Sequence, residues 1–361
     1  MTKLILCGGF LGAGKTTLLS TLASKYARLG VKAGLITNDQ ASALVDTAML
    51  KKTGGDNVEE VSGSCFCCNF PGFAKAVDYL KNTMKAEVII AEPVGSCTDL
   101  SATIMQPLKK YAEKDLQIAP LSVLVDPYRL KAVLNDELGG LHPSAAYIVK
   151  KQLEESDIIV ITKTDLLTEK EISELKTKTT EKYPKSKVYA ISSVKDTGVD
   201  EWLIATNTAT KAGMNLTEVD YDTYAEGEAV LGWLNTTVEI TGNNVDFDTK
   251  TRTFATKLAE YFDANKMSVG HVKLMTTTAN GSLNANITGS KETLLFRGKI
   301  EKSDTATITV NARVETTPEK LAEVVRAKLN EAFTGTTLKE TAFNCLQPGR
   351  PNPTYHFTEV I

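Results

Sequence analysis

Several features are scarce or missing in this chain of 361 residues, and each absence excludes a class of protein. No stretch approaches the roughly 18 uninterrupted apolar residues of a membrane-spanning helix, and the first residues do not resemble a cleavable signal peptide. We therefore expect a cytoplasmic protein without a membrane partner. The 41 basic and 44 acidic residues give a net charge of −3. Because the positive excess that drives nonspecific nucleic-acid binding is missing, we expect no nucleic-acid partner.

Histidine is rare and cysteine is clustered, which limits the kinds of metal site that the chain can build. Only 3 histidines occur, so a metal site must depend mainly on thiolates and carboxylates. The 6 cysteines of a chain this long do not indicate a disulfide framework. Three of them, Cys65, Cys67 and Cys68, lie almost side by side in the sequence.

The first part of the chain alternates short apolar runs with helical patterns. This alternation predicts an α/β fold with a doubly wound, mainly parallel sheet over residues 1–205. The predicted strands are Lys3–Cys7, Lys32–Thr37, Glu87–Glu92, Pro120–Asp126, Asp157–Thr162 and Lys187–Ile191.

The pattern changes after about residue 205. Residues 206–228 are polar and without a clear period, and they are predicted to form a linker. Residues 229–361 are predicted to form a smaller α+β domain. Its predicted strands are Ala229–Thr241, His271–Thr278, Leu283–Thr288 and Thr305–Val314, and its predicted helices are Lys250–Asn265 and Pro318–Phe333.

The strongest motif is Gly9-Phe10-Leu11-Gly12-Ala13-Gly14-Lys15-Thr16, which lies between an apolar strand and an amphipathic helix. It matches the pattern G-x-x-x-x-G-K-[ST] of a phosphate-binding loop, or P-loop. In such a loop the backbone N–H groups hold phosphate oxygens, Lys15 reaches the β- and γ-phosphates, and the Thr16 hydroxyl binds Mg²⁺. The predicted nucleotide-binding residues here are Gly9, Gly12, Ala13, Gly14, Lys15, Thr16 and Thr17.

A second motif, Thr162-Lys163-Thr164-Asp165, is a variant of the Asn-Lys-x-Asp motif that recognises guanine. Asp165 can accept two hydrogen bonds from a guanine base, and the stem of Lys163 can cover the base. Thr162 replaces an asparagine whose amide ties this loop to the P-loop, so we expect weaker nucleotide affinity. Ser192 and Ser193 follow the next strand and are expected to support the guanine oxygen. The alternative is a surface lysine and aspartate after a core strand.

Acidic residues at two strand ends are candidates for magnesium binding and catalysis. Glu92 can hold a Mg²⁺-bound water, and the N–H of Gly95 can sense the γ-phosphate. Asp39 or Asp46 could contact Mg²⁺ or orient the attacking water. The predicted catalytic residues are thus Lys15, Asp39 and Glu92. The alternative for each carboxylate is an acidic cap on a strand end.

The run Cys65-Phe66-Cys67-Cys68 can direct several thiolates to one point. Such soft ligands suit Zn²⁺, Cu(I) or Co²⁺, and an open fourth position suits metal transfer. Cys97 follows Gly95 by two residues and is a further ligand candidate, or else a buried core cysteine. A redox dithiol and buried small hydrophobic residues are the alternatives for the run.

Taken in order, these motifs resemble the CobW-type GTPases, which are relatives of UreG and HypB. The resemblance covers residues 1 to about 203. It implies a GTP-hydrolysing metallochaperone or metallocofactor-insertion accessory protein that uses GTP, GDP and Mg²⁺ and carries Zn²⁺, Co²⁺ or Ni²⁺. It also implies dimers, a link between metal occupancy and GTP state, and a client metalloprotein or cofactor-dependent enzyme that meets the second domain. Glutamates that bind metal in the family are replaced by Thr37, Gln40 and Ser42, which leaves Asp39 as the carboxylate of that region.

Three other functions stay open at this point. One is an accessory GTPase of a corrinoid or methyltransferase system, since residues 347–355 resemble the ending of such proteins, with Cys345 and His356 as second-domain ligands. Another is a small-molecule kinase. The third is a non-catalytic scaffold that contains a structural zinc ion.

Overall fold

The structure is a computed structural model that describes residues 1–39, 58–62, 64–112, 115–289 and 294–361, with the backbone alone at residues 39 and 62. Two sheets organise these residues, one parallel and one antiparallel. Within these ranges, no helix combines the length and the apolar character that a membrane crossing requires.

The first sheet is parallel throughout, in the order β3-β2-β4-β1-β6-β7-β8, and β5 also pairs with β1. Its central strands are buried on both faces, because their apolar runs are covered by helices on each side. The strands are β1 Thr2–Gly8, β2 Ala33–Asp39, β3 Val58–Ser62, β4 Val88–Glu92, β5 Leu116–Ile118, β6 Ser122–Val125, β7 Ile158–Ile161 and β8 Lys187–Ala190.

The helices around this sheet begin at well-defined caps. Asp126 accepts hydrogen bonds from the N–H groups of Tyr128 and Arg129, and Thr168 forms a reciprocal capping box with Glu171. Numbered along the described residues, the helices are α1 Lys15–Arg28, α2 Phe70–Asp78, α3 Gln106–Tyr111, α4 Pro127–Leu134, α5 Pro143–Glu154, α6 Glu169–Lys182, α7 Val199–Thr208 and α8 Tyr221–Ala229.

The second sheet is antiparallel, in the order β12-β11-β10-β13-β9-β14. Two helices cover one of its faces and form a separate hydrophobic core with it. The other face carries polar side chains and is turned toward the P-loop. The elements are β9 Leu231–Val245, α9 Phe247–Ala264, β10 Val269–Thr278, β11 Gly281–Ile287, β12 Leu295–Lys299, β13 Ser303–Glu315, α10 Pro318–Ala332 and β14 Thr337–Leu346.

Residues 206–228, predicted as a linker, lie against the first domain. The N–H groups of Gly213 and Met214 donate to the carboxylate of Asp157, and a Cβ placed on Gly227 would lie 2.4 Å from the carbonyl oxygen of Ser144. Helix α8 begins inside this segment, at a cap made by Asp220. The sequence hid this helix because it lacks an apolar stripe. The exact domain boundaries stay predictions.

The predicted fold class, a doubly wound parallel sheet followed by an α+β domain, is confirmed. All six predicted parallel strands and all four predicted antiparallel strands are present, with ends shifted by a few residues. Sequence reasoning missed four strands, namely β3, β5, β12 and β14. Three of them, β3, β12 and β14, are sheet-edge strands, whose polar residues give no clear alternation.

Candidate functional site

The P-loop joins β1 to α1 in a conformation that its glycines make possible. Gly9, Gly12 and Gly14 all have positive φ, at 126°, 79° and 95°. A Cβ on Gly9 would lie 2.2 Å from the carbonyl oxygen of Leu124, so a side chain is excluded there. The Lys15 ammonium lies back on the loop and donates to the carbonyl oxygen of Gly9 at 2.8 Å.

The Thr16 hydroxyl and the Glu92 carboxylate meet at the N-terminus of α1. Thr16 Oγ1 lies 3.1 Å from both carboxylate oxygens of Glu92, and Lys15 Nζ lies 3.9 Å from the nearer one. All three side chains are buried. Hard oxygen donors in this arrangement fit Mg²⁺, with Lys15 beside them for phosphate charge.

The Thr162–Asp165 loop is tied to the P-loop through Thr162. Its hydroxyl donates to the carbonyl oxygen of Ala13 at 2.7 Å. The shorter threonine side chain thus makes a bond to the P-loop in place of the asparagine amide, and the expected weaker nucleotide affinity stays a prediction. Lys163 lines the cavity beside the loop, while Asp165 accepts a 2.6 Å hydrogen bond from the Ser192 hydroxyl.

A cavity opens between the P-loop and the polar face of the second sheet. It holds about 1130 Å³ of empty space, part of which is open to solvent. From the first domain it is lined by P-loop residues, Thr17, Asn38 and the turn Glu92–Gly95, and from the second by residues of β9, β10, β11, β12 and β13. The predicted phosphate-binding residues thus face a cavity in which both domains take part.

The cysteine cluster, Cys65 with Cys67, Cys68 and Cys97, lies between β3 and α2 on one side and the turn after β4 on the other. The Sγ atoms of Cys65 and Cys67 are 3.0 Å apart, those of Cys67 and Cys68 are 3.8 Å apart, and these three sulfurs lie within 4.8 Å of one another. Cys97 reaches the same group of sulfurs, since its thiol interacts with both Cys65 and Cys67.

The cluster favours one thiolate among its thiols. Hydrogen bonds from Cys67, Cys68 and Cys97 lower the pKa of Cys65 far below its usual range. The pKa of Cys68 is raised to about 11, first by its hydrogen bond to Cys65. Sulfur atoms that converge in this way can hold a thiophilic ion once their protons leave.

Residues 3–190 match the nucleotide-binding domain of the CobW/HypB/UreG family. This match covers more than half of the chain. The chain belongs to the CobW/HypB/UreG family.

Solved structures of this family resemble the chain at low identity. HypB from Archaeoglobus fulgidus is 18% identical over 56% of this chain and 87% of its own, with a TM-score of 0.38. HypB from Helicobacter pylori in complex with nickel is 19% identical over 56% of this chain and 83% of its own, with a TM-score of 0.39. Zn(II)-bound YjiA GTPase from E. coli is 17% identical over 91% of this chain and 98% of its own, with a TM-score of 0.37.

In this family member, the C-terminal segment, residues 350–361, lies across the cysteine cluster. The N–H of Asn352 donates to Cys68 Sγ at 3.2 Å, and the N–H of Thr354 donates to the carbonyl oxygen of Cys67 at 2.8 Å. The Tyr355 ring contacts that of Phe70, with centroids 5.3 Å apart. The segment therefore covers the most exposed sulfur of the cluster.

The second-domain ligand pair, Cys345 with His356, does not form. The Cys345 thiol donates to the carbonyl oxygen of Pro318 at 3.1 Å, whereas His356 Nε2 lies 3.0 Å from the Asp99 carboxylate on the first domain. The two residues separate because the chain leaves β14 immediately after Cys345 and crosses to the cysteine cluster.

Part of the predicted site lies outside the described residues. This applies to Gln40, Ser42, Asp46 and Gly63, and to the side chain of Asp39, whose backbone ends β2. Ser193 uses its carbonyl oxygen to bind the Thr21 hydroxyl at 2.8 Å. The roles of these residues stay predictions.

Two buried residues beside these sites make contacts that the sequence did not predict. Asn38 lines the cavity, donates to the carbonyl oxygens of Val61 and Ser64 at 2.7 and 2.8 Å, and accepts from the N–H of Phe66 at 2.8 Å. Glu228 lies in the predicted linker. Burial, together with the nearby charge of Cys65, raises the pKa of Glu228 to about 8. The position of Asn38 at the end of a predicted parallel strand was the feature of the sequence that could have placed it beside the cavity.

Proposed function

We propose that this protein binds and hydrolyses GTP, and that it carries a thiophilic metal ion whose affinity depends on the nucleotide. Zn²⁺, Co²⁺ and Ni²⁺ are the ions considered, with Cys65, Cys67, Cys68 and Cys97 as ligands and the ion as cargo. The convergence of the four thiols beside the nucleotide cavity carries the proposal. The receiver is a client metalloprotein or cofactor-dependent enzyme that docks on the second domain.

The nucleotide half of the proposal rests on the P-loop and its neighbours. Lys15 leaves the carbonyl oxygen of Gly9 and binds the β- and γ-phosphates, where its charge is needed. Thr16 and Glu92 would hold Mg²⁺, which supplies positive charge between the phosphates. Thr162 holds the guanine-recognition loop against the P-loop, and Asp165 exchanges its bond with Ser192 for bonds to the base.

One physical connection between the nucleotide and the thiols passes through Asn38. Its side chain lines the cavity, and its hydrogen bonds to the backbone of Ser64 and Phe66 hold both neighbours of Cys65. A shift of β2 when a triphosphate binds would therefore move the first thiol of the cluster. A tenfold change in metal affinity requires only about 1.4 kcal/mol of such coupling.

A second connection follows β4 into the turn Val94–Cys97. Gly95 packs on the P-loop residue Leu11, since a Cβ on Gly95 would lie 2.7 Å from Leu11 Cδ2. Two residues later, Cys97 joins the cluster, and Gln152 spans both by donating to the carbonyl oxygens of Gly95 and Cys97 at 3.0 and 2.7 Å. The γ-phosphate side of the cavity thus shares one short turn with the fourth thiol.

The proposal is tested by competing Zn²⁺ and Co²⁺ away from reduced protein with a chromophoric chelator. The protein is loaded with a non-hydrolysable GTP analogue or with GDP. We expect tight binding whose strength differs between the two nucleotides. Equal affinity in both states indicates a structural site, and no binding at all overturns the metal-carrier function.

A further inference from the structure

The polar face of the second sheet carries an ordered row of side chains above the P-loop. Trp233 of β9 pairs with Arg313 of β13, and Arg313 pairs with His271 of β10. The Arg313 guanidinium stacks on the Trp233 ring, 4.4 Å from its centroid. These three residues, with Lys273 two residues further along β10, are called the second-sheet wall. Each of them lines the nucleotide cavity.

Residues next to the second-sheet wall pack directly on the P-loop. A Cβ on Gly270, beside His271, would lie 2.9 Å from Leu11 Cδ1, and a Cβ on Gly12 would lie 2.6 Å from the Thr288 methyl group. The buried Arg129 guanidinium connects the two domains by donating to the carbonyl oxygens of Leu11 and Gly270. The second-sheet wall therefore has a defined position relative to Leu11 and Gly12 of the P-loop.

Within the described residues, Nε1 of Trp233 and Nδ1 of His271 have no hydrogen-bond partner. Both side chains are buried, with exposed fractions of 3% and 8%. An indole N–H can only donate, so it requires an acceptor atom. The buried Trp233 N–H, which faces the cavity, can therefore donate to an acceptor atom of a bound ligand.

The charge of the cavity indicates that this ligand is an anion. Among the lining residues that the structure describes, five are cationic and one is a carboxylate, Glu92. The cationic residues are Lys15, Lys163, Lys273, Arg297 and Arg313. Burial, followed by the charge of Lys273, keeps the pKa of His271 well below its usual range, so His271 is neutral at physiological pH.

We propose that the second-sheet wall binds the terminal phosphate of the nucleotide on the P-loop, with Trp233 donating a hydrogen bond and Lys273 supplying charge. This inference rests on the proposed GTP binding and adds a role for the second domain. Gly270 and Thr288, beside the wall, contact Leu11 and Gly12 near the Gly95 turn, which is the γ-phosphate side of such loops. A triphosphate then adds a contact between the two domains that a diphosphate does not make.

The test compares triphosphate and diphosphate affinity in the full-length protein. Trp233→Phe removes one N–H and keeps a ring for Arg313 to stack on, while Lys273→Met removes one charge. Lys299→Met is the matched control, because Lys299 lies exposed on the same sheet and does not line the cavity. Equilibrium titrations use a fluorescent non-hydrolysable GTP analogue, fluorescent GDP, and fluorescent GDP with inorganic phosphate.

We expect each wall variant to bind the GTP analogue about tenfold more weakly and GDP as well as wild type does. Retained GDP binding also shows that the variant is folded. Equal loss for both nucleotides, or no loss, overturns the inference. A third result also overturns it: inorganic phosphate tightens GDP binding in wild type but not in the wall variants, while the wall variants bind the GTP analogue as well as wild type does. The wall would then bind a free anion and not the terminal phosphate of the nucleotide. If wild type binds no guanine nucleotide, the proposed function falls as well.

Discussion

The nucleotide cavity and the cysteine cluster both border on the first domain but differ in access. The cavity holds about 1130 Å³ of empty space and opens to solvent. The cluster is closed, with exposed fractions of 3% for Cys65, 2% for Cys67 and 1% for Cys97, and the C-terminal segment covers Cys68. A metal ion therefore needs a movement to enter or leave, and the nucleotide-linked strands β2 and β4 can supply it.

The largest expected effect concerns the open site. Lys15→Ala removes the charge that neutralises the β- and γ-phosphates, so we expect GTP affinity to fall about a hundredfold or more. Metal affinity of the nucleotide-free protein should not change. Lys32→Ala, at an exposed lysine outside the cavity, is the control for fluorescence titrations. Unchanged GTP affinity in Lys15→Ala would mean that the cavity does not bind phosphate.

The next effect concerns the closed site. Cys67→Ser removes the sulfur that approaches both Cys65 and Cys68, and we expect Zn²⁺ affinity to fall about a hundredfold. Cys345→Ser is the matched control, since that thiol bonds Pro318 in the second domain. If chelator competition finds equal losses in both variants, the cluster is not the metal site.

An intermediate effect is expected where the two sites are connected. Asn38→Ala deletes the acceptor of the buried Phe66 N–H, so it should lower the free energy of unfolding by about 1–3 kcal/mol. The more specific result is that Zn²⁺ affinity becomes nearly the same with the GTP analogue and with GDP. Asn38→Asp keeps that acceptor and serves as the comparison in chelator competition. Full nucleotide dependence in Asn38→Ala would exclude this connection.

A smaller effect is expected from the cover of the closed site. Tyr355→Ala removes the ring that packs on Phe70 and should loosen the C-terminal segment, so Cys68 reacts several times faster with iodoacetamide. Mass spectrometry of the labelled peptide measures the rate. Tyr128→Ala, at an exposed tyrosine, should leave the rate unchanged. Equal rates in both variants would mean that the segment does not limit access.

The smallest effect concerns pH. Glu155 is buried against the segment that follows Cys97, where it accepts hydrogen bonds from the Thr98 hydroxyl at 3.0 Å and the Ser101 N–H at 2.8 Å. Burial raises its pKa to about 8, so the folded state binds more protons than the unfolded state, and the free energy of unfolding falls as pH rises toward 8. Glu155→Gln should make that decrease shallower in urea denaturation between about pH 5 and pH 9. An identical slope would contradict this assignment.

The two sites also differ in how far the sequence predicts them. The P-loop could be predicted because a short stretch between a strand and a helix determines its conformation locally. The convergence of Cys65, Cys67 and Cys68 follows from their adjacency, and Cys97 joins them because parallel strands end at one edge of the sheet.

Contacts between distant parts of the chain could not be predicted. Nothing in residues 9–16 indicates that Gly270 packs on Leu11, and the proline-rich residues 347–353 have no period that would place Asn352 on Cys68. The alternation of Trp233 with Asn235, and of His271 with Lys273, could have indicated a cavity-facing side of the second sheet, but it was not used. Which surface that face covers depends on domain packing.

The most direct test of the account is the reciprocal coupling between metal and nucleotide. Affinity for the GTP analogue is measured by fluorescence titration of the reduced protein, with the cluster either empty or saturated with Zn²⁺. The account predicts that Zn²⁺ changes GTP-analogue affinity by the same factor by which the analogue changes Zn²⁺ affinity. The same GTP-analogue affinity with and without Zn²⁺ would show that the open and closed sites act independently and would contradict the account.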